Sequence, residues 1–123
     1  MLKLARLTAW ILVAALVFVT LAPIGMRPVV VESANLERAM AYALMGFMLA
    51  LAYPRHWLWA LAAGVALAGL LEAAQGLTAS RHGRVADFLV KAVAASLGAL
   101  GAQVVLFAGT RWERRRAVRT LAD

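Results

Sequence analysis

Six polar or ionisable residues lie close together in the chain between two strongly apolar runs. They are Glu72, Gln75, Arg81, Arg84, Asp87 and Lys91. Two chemistries are open to such a set: a carboxylate could act as a general base, or the cations could bind a phosphate. Nearby cations favour the ionised carboxylate, which suits charge pairing better than proton transfer, and no serine or cysteine nucleophile with a partnered base is visible. The residues therefore favour binding, and no catalytic residue is predicted.

The composition is typical of membrane helices. Of the 123 residues 64% are hydrophobic and only 15% are charged, and the mean hydropathy is +0.80. Ionisable groups at membrane depth are costly, so they are found where they bind something or are tightly paired. The chain has no cysteine, which excludes disulfides and thiolate chemistry. His56 and His82 are isolated loop histidines, so the sequence predicts neither a metal site nor a cofactor.

Four apolar runs predict an all-α fold, an integral membrane four-helix bundle that occupies the whole chain as a single domain. The predicted helices are 5–23, 36–53, 57–76 and 85–108, followed by a basic tail at 110–123. A spanning helix needs about 20 residues, and Pro23 and Pro54 end the first two runs. Lys3 and Arg6 ahead of the first run also fit a secretory signal peptide. Because Pro23 follows the one small-residue cleavage site, we favour an uncleaved helix.

The lysines and arginines predict which side of the membrane each end occupies. With four spans, both termini and the connection around Arg55 share one side, and that side carries more of the basic residues. The positive-inside rule then places the N and C termini in the cytoplasm. The basic tail is expected to be a cytoplasmic helix on anionic lipid. No nucleic-acid partner is predicted, because no binding module accompanies the tail.

Small residues at helical spacing predict the packed faces. They form one stripe on each of the last three helices: Ala39, Ala43, Gly46 and Ala50; Ala62, Ala66, Gly69, Ala73 and Gly76; Ala94, Gly98 and Gly101, below Lys91. Small residues let helix backbones approach closely in lipid. Asp87 and Lys91 share the last stripe and are therefore expected to face protein.

Three helix ends are predicted to bring polar groups to one membrane level. Glu72 and Gln75 are three residues apart on one face, and Asp87 and Lys91 are four apart in the order that favours a helical ion pair. Glu72 could instead pair with Arg84 or Lys91 to hold helices together. The predicted ligand-binding set comprises Arg38, Tyr42, Glu72, Gln75, Arg81, Arg84, Asp87 and Lys91.

From about Ala34 to Gly101 the chain resembles the VanZ-like family of membrane proteins. The matching elements are LERAMAYALMGF, then LEAAQ with Glu72, then SRHGRVADF with Asp87, and a glycine-rich last helix. Two positions depart from the family pattern: Arg38 stands where a His is often found, and Lys91 where many members carry Asn. The resemblance implies a multi-pass protein of the bacterial inner membrane with a role in the cell envelope. It implies no particular reaction, although the family is named for a glycopeptide-resistance accessory protein.

Three functions remain open on the sequence. The favoured one is binding of an anionic lipid head group or a lipid-linked cell-wall precursor at an outward-facing pocket, with an effect on glycopeptide susceptibility. Arg38, Arg81, Arg84 and Lys91 would contact the phosphate. The alternatives are a membrane hydrolase or transferase that uses Glu72 or Asp87, and a non-catalytic assembly subunit with a membrane-protein partner or a homo-oligomeric state.

Overall fold

The computed structural model describes residues 2–21, 34–77 and 85–122, and this part of the chain is helical. The helices are α1 (Leu2–Leu21), α2 (Ala34–Ala52), α3 (Trp57–Gly76) and α4 (Val85–Ala122). A short 3-10 helix, Pro54–His56, joins α2 to α3. The predicted all-α fold with helices in these four places is confirmed. The predicted proline boundary after α2 is also confirmed, because Pro54 has no backbone N–H with which to continue an α-helix.

The last helix is much longer than its apolar segment. The sequence predicted a boundary near residues 108–110, but α4 continues without interruption to Ala122. Its 38 residues span about 57 Å, close to twice the roughly 30 Å thickness of a bilayer's hydrocarbon core. The basic tail is therefore the C-terminal part of α4 and not a separate helix.

Three segments are long and apolar enough to cross a membrane: Leu2–Leu21, Pro54–Ala74 and the apolar part of Val85–Ala122. The exception is α2, which carries Glu37 and Arg38 near its start. This helix packs on α1, α3 and, most extensively, α4. Because α2 is covered by protein on several sides, its sequence needs fewer apolar residues than that of a helix exposed to lipid.

Side-chain contacts show that the helices alternate in direction. Near the start of α1, Arg6 Nε lies 3.4 Å from the carbonyl oxygen of Ala52, the last residue of α2. The indole nitrogen of Trp10 donates to the Tyr53 hydroxyl at 3.1 Å. We call this the basic end: it holds the start of α1, the end of α2, the start of α3 and the extension of α4. The opposite end, which holds the starts of α2 and α4 and the end of α3, is the polar end.

The seam between α2 and α4 depends on two glycines. A Cβ atom at Gly46 would fall on the carbonyl oxygen of Ala95, and one at Gly98 would fall on the carbonyl oxygen of Ala43. The two backbones therefore approach each other as closely as glycine permits. Further along the seam, Ala50 packs with Ala99 and Ala102. The small-residue stripes predicted on α2 and α4 are confirmed as packing faces.

The stripe predicted on α3 is wrong. Ala62, Ala66, Ala73 and Gly76 are exposed, whereas the buried residues of α3 are Ala60, Gly64, Ala68, Leu71 and Glu72. Alanine and glycine occur on every face of α3, so the spacing of small residues cannot identify the packed face. The observed rotation of α3 places Glu72 against Lys91 of α4, where the two opposite charges pair.

Candidate functional site

A buried ion pair joins α3 to α4 at the polar end. Lys91 Nζ donates to Glu72 Oε2 at 2.5 Å, and the two side chains are only 3% and 8% exposed. The ammonium also lies 5.8 Å from the centre of the Tyr42 ring, a cation–π distance, and Tyr42 is itself buried on α2. Lys91 of α4 thus contacts both α2 and α3, and Glu72 neutralises its positive charge.

A second ion pair joins α2 to α4 one helical turn nearer the polar end. Arg38 Nη1 donates to Asp87 Oδ2 at 3.3 Å, and these side chains are 30% and 28% exposed. Asp87 lies in the first turn of α4, where the helix dipole favours a negative charge. A guanidinium has five N–H donors, and this bond uses one of its terminal nitrogens. Arg38 can therefore hold Asp87 and still offer donors to another group.

The predicted ion pair between Asp87 and Lys91 along α4 is wrong, because each residue pairs with a different helix. A helical i,i+4 pair contributes only about 0.2–0.5 kcal/mol. An interhelical partner neutralises a buried charge that would otherwise be far more costly. The alternative in which Glu72 pairs with Lys91 to hold helices together is confirmed.

Five of the predicted site residues lie together at the polar end: Arg38, Tyr42, Glu72, Asp87 and Lys91. Arg81, Arg84 and the side chain of Gln75 lie outside the described residues. Glu37, a half-buried acid in the first turn of α2, directly precedes Arg38 and was not among the predicted site residues.

Within the described part of the chain, the polar end carries no excess of positive charge. Three carboxylates, Glu37, Glu72 and Asp87, stand there against the two cations Arg38 and Lys91. Any surplus of positive charge for an anionic ligand must come from arginines outside the described residues, which are Arg27, Arg81 and Arg84. The N–H groups of Arg38 that do not bond Asp87 can also donate hydrogen bonds to such a ligand.

The charge of the basic end is very different. Among the described residues, one acid, Glu113, lies there with eight basic residues: Lys3, Arg6, Arg55, Arg111, Arg114, Arg115, Arg116 and Arg119. Besides its bond to Ala52, Arg6 lies 5.1 Å from the centre of the Tyr53 ring. The bond from Arg6 satisfies the carbonyl oxygen of Ala52, which has no intrahelical partner at the end of α2. The two ends of the bundle thus differ strongly in charge.

The geometry favours binding over catalysis at the polar end. Glu72 is enclosed and its Oε2 is held by Lys91, so it is poorly placed to take a proton from a substrate. Asp87 is more accessible, yet it is held by Arg38. Among residues 2–21, 34–77 and 85–122, no three His, Cys, Asp or Glu side chains come together as metal ligands would.

Neither a protein-family model nor a curated protein nor a solved structure matches this chain. The resemblance to the VanZ-like family therefore depends on the sequence elements around Arg38, Glu72 and Asp87. Three of the helical segments are long and apolar enough to cross a membrane.

Proposed function

We propose that this is a small multi-pass protein of the bacterial cytoplasmic membrane, of the VanZ-like type, that binds an anionic head group at its polar end. The ligand would be a lipid or a lipid-linked envelope precursor that carries phosphate. The observation that supports this most is the partly exposed Arg38–Asp87 pair, which lies one turn outward from the buried Glu72–Lys91 pair. A fixed, accessible guanidinium at the end of a membrane bundle is a suitable phosphate contact.

Arg38 would supply the direct contact from the described residues. Its position is fixed by Asp87, which lowers the entropy lost when a ligand binds, and its remaining donors fit the oxygens of a phosphate. Arg81 and Arg84 precede α4 by a few residues and would provide the additional positive charge.

Lys91 has a different role in this proposal from the one that the sequence suggested. Its ammonium is buried and held by Glu72, so it would have to break that pair to reach a head group. Lys91, Glu72 and Tyr42 instead form a rigid base on which the outer pair is positioned. Removing Lys91 is therefore expected to disturb the fold and is unsuitable as a test of binding.

The orientation follows from the charge of the two ends. We propose that the basic end faces the cytoplasm, with both termini there, and that α2 crosses the membrane together with the three more apolar helices. The polar end then faces outward, toward the leaflet where envelope precursors are processed. An effect on glycopeptide susceptibility would follow from binding such a precursor.

Native mass spectrometry of the purified protein tests the binding proposal. The parent should retain anionic lipid, and the double variant Arg38→Gln/Arg84→Gln should retain less of it. Since the Arg38–Asp87 pair is partly exposed, its loss should cost less than the roughly 3–5 kcal/mol of a fully buried pair, and the variant is expected to fold. The matched control is Lys3→Gln/Arg55→Gln, which removes two positive charges from exposed positions at the basic end.

Equal lipid retention by the parent and the Arg38/Arg84 variant would contradict the proposal, as would equal loss in the control. Chemical conversion of the supplied lipid would favour the hydrolase or transferase alternative. An assembly subunit would show a bound protein partner or a second copy, and its lipid content would not depend on Arg38.

A further inference from the structure

The C-terminal part of α4 extends beyond the bundle as an exposed, strongly basic helix. Every residue from Phe107 to Ala122 is exposed. From Arg111 onward this segment carries five arginines and one acid, Glu113. We call Arg111–Ala122 the basic arm. Within residues 2–21, 34–77 and 85–122, none of these arginines forms an ion pair with the bundle.

Three of the five arginines of the basic arm form a stripe along the helix, and two arginines of the arm lie against aromatic rings. Arg111, Arg115 and Arg119 are four residues apart and therefore lie along one side of the helix. Arg111 lies 4.3 Å from the centre of the Phe107 ring, and Arg116 lies 5.3 Å from the centre of the Trp112 ring. Long cationic side chains beside a tryptophan suit the boundary between lipid and water.

The basic arm begins at a weak point in α4. A Cβ atom at Gly109 would have no neighbour within 4 Å, so packing does not require a glycine there. A glycine inside a helix weakens it relative to alanine. The next residue, Thr110, donates its hydroxyl to the carbonyl oxygen of Phe107 at 2.9 Å, a contact that often accompanies helix bending. Glycine beside a hydroxyl residue is a common place for a helix to bend.

We propose that the basic arm bends at Gly109–Thr110 and lies on an anionic lipid surface at the basic end. The apolar part of α4 ends just before Gly109, so the arm starts at the bilayer surface. In a straight α4 the last arginine, Arg119, would stand about 15 Å beyond Gly109 along the helix axis. That distance exceeds the roughly 8 Å over which charges act at physiological salt. Bending brings all five arginines within reach of the lipid charges.

The proposal commits to a lipid surface because the bilayer is the anionic surface adjacent to the arm. It does not depend on a ligand at the polar end, since the two features lie at opposite ends of the bundle. A bent, lipid-bound arm would hold the basic end at a fixed depth in the membrane.

The test uses Thr120→Cys, the single cysteine of an otherwise cysteine-free chain, in the full-length protein. A fluorophore on this residue is reconstituted into vesicles that carry an energy acceptor on their head groups. One vesicle type is phosphatidylcholine alone, and the other contains 30% phosphatidylglycerol in both leaflets, so the result is independent of orientation. Energy transfer should be higher in the anionic vesicles and should fall at high salt.

Two variants examine the charge and the bend separately. Replacing Arg115, Arg116 and Arg119 by Gln should lower the ratio of lipid-bound to extended arm about a hundredfold, at about fivefold per arginine. Gly109→Ala keeps every charge but stiffens the joint, and should also lower the bound fraction. The control Val118→Ala changes the arm without altering its charge or its joint, and should behave like the parent.

Equal energy transfer in the two vesicle types would overturn the proposal, as would an unchanged signal in the triple variant. An unchanged signal in Gly109→Ala would overturn the bend. An arm that stays away from anionic vesicles while the purified protein carries RNA or an acidic protein would assign the arginines to that partner instead.

Discussion

Lys91→Met is the substitution that most directly examines the buried ion pair. Methionine has an unbranched side chain one heavy atom shorter than that of lysine, so the substitution removes the ammonium group and keeps most of the apolar stem. Glu72, whose side chain is 8% exposed, would lose the Lys91 ammonium and stay enclosed. Removing one partner of a buried pair costs about 3–5 kcal/mol. We expect a loss of stability in this range, with a smaller part from the contact with Tyr42.

Two further variants show whether burial is the cause. Arg38→Gln breaks an ion pair of the same charge type whose side chains are 30% and 28% exposed, so the expected cost lies below the roughly 3–5 kcal/mol of the buried pair. Glu72→Leu/Lys91→Met removes both charges and should recover most of the stability lost in Lys91→Met, since apolar replacement of a buried pair is often neutral or stabilising.

The assay is reversible unfolding in mixed micelles with increasing dodecyl sulfate, followed by helical circular dichroism. A double-mutant cycle compares the parent with Lys91→Met, Glu72→Leu and the double variant. It isolates the free energy of interaction between the two side chains. If Lys91→Met unfolds like the parent, the pair does not stabilise the bundle. If Arg38→Gln costs as much as Lys91→Met, burial is not what distinguishes the two pairs.

Two other predictions follow from the packing and the charge distribution. Gly46→Ala and Gly98→Ala should each destabilise the seam between α2 and α4 by about 1–3 kcal/mol or more in the same unfolding assay, because the added carbon falls on a carbonyl oxygen of the other helix. The control Gly64→Ala meets only ordinary contacts, and a loss there as large as at the seam would contradict the explanation. In cells, an impermeant thiol reagent should label Leu77→Cys from outside and miss Thr120→Cys. The opposite pattern would place the polar end in the cytoplasm.

Much of the bundle could be predicted from local sequence. The apolar runs and Pro54 located the helices, and the stripe containing Gly46 and the one containing Gly98 identified the faces of α2 and α4 that pack together. The polar residues could be assigned to one end, because alternating helices bring the starts of α2 and α4 beside the end of α3. These features depend on periodicity and length, which a single sequence contains.

The pairing of charges could not be predicted in the same way. Lys91 is four residues from Asp87 and nineteen from Glu72, so its short-range partner looked favourable. The choice depends on how α3 is rotated against α4, and the many small residues of α3 leave that rotation unspecified. The length of α4 was missed for a different reason. The sequence becomes much less apolar after Ala108, which suggested that the helix ends there. The following residues are mostly good helix formers and include no proline, so the helix continues.

The most direct test of the proposed binding site is a density map of the protein in a lipid bilayer that contains anionic lipid. We predict a phosphate-sized feature within hydrogen-bond distance of the Arg38 guanidinium, with Asp87 still on its other side. The Glu72–Lys91 pair should remain closed beneath it. A map in which Arg38 contacts only Asp87, with lipid phosphates bound solely at the basic end, would contradict the proposal.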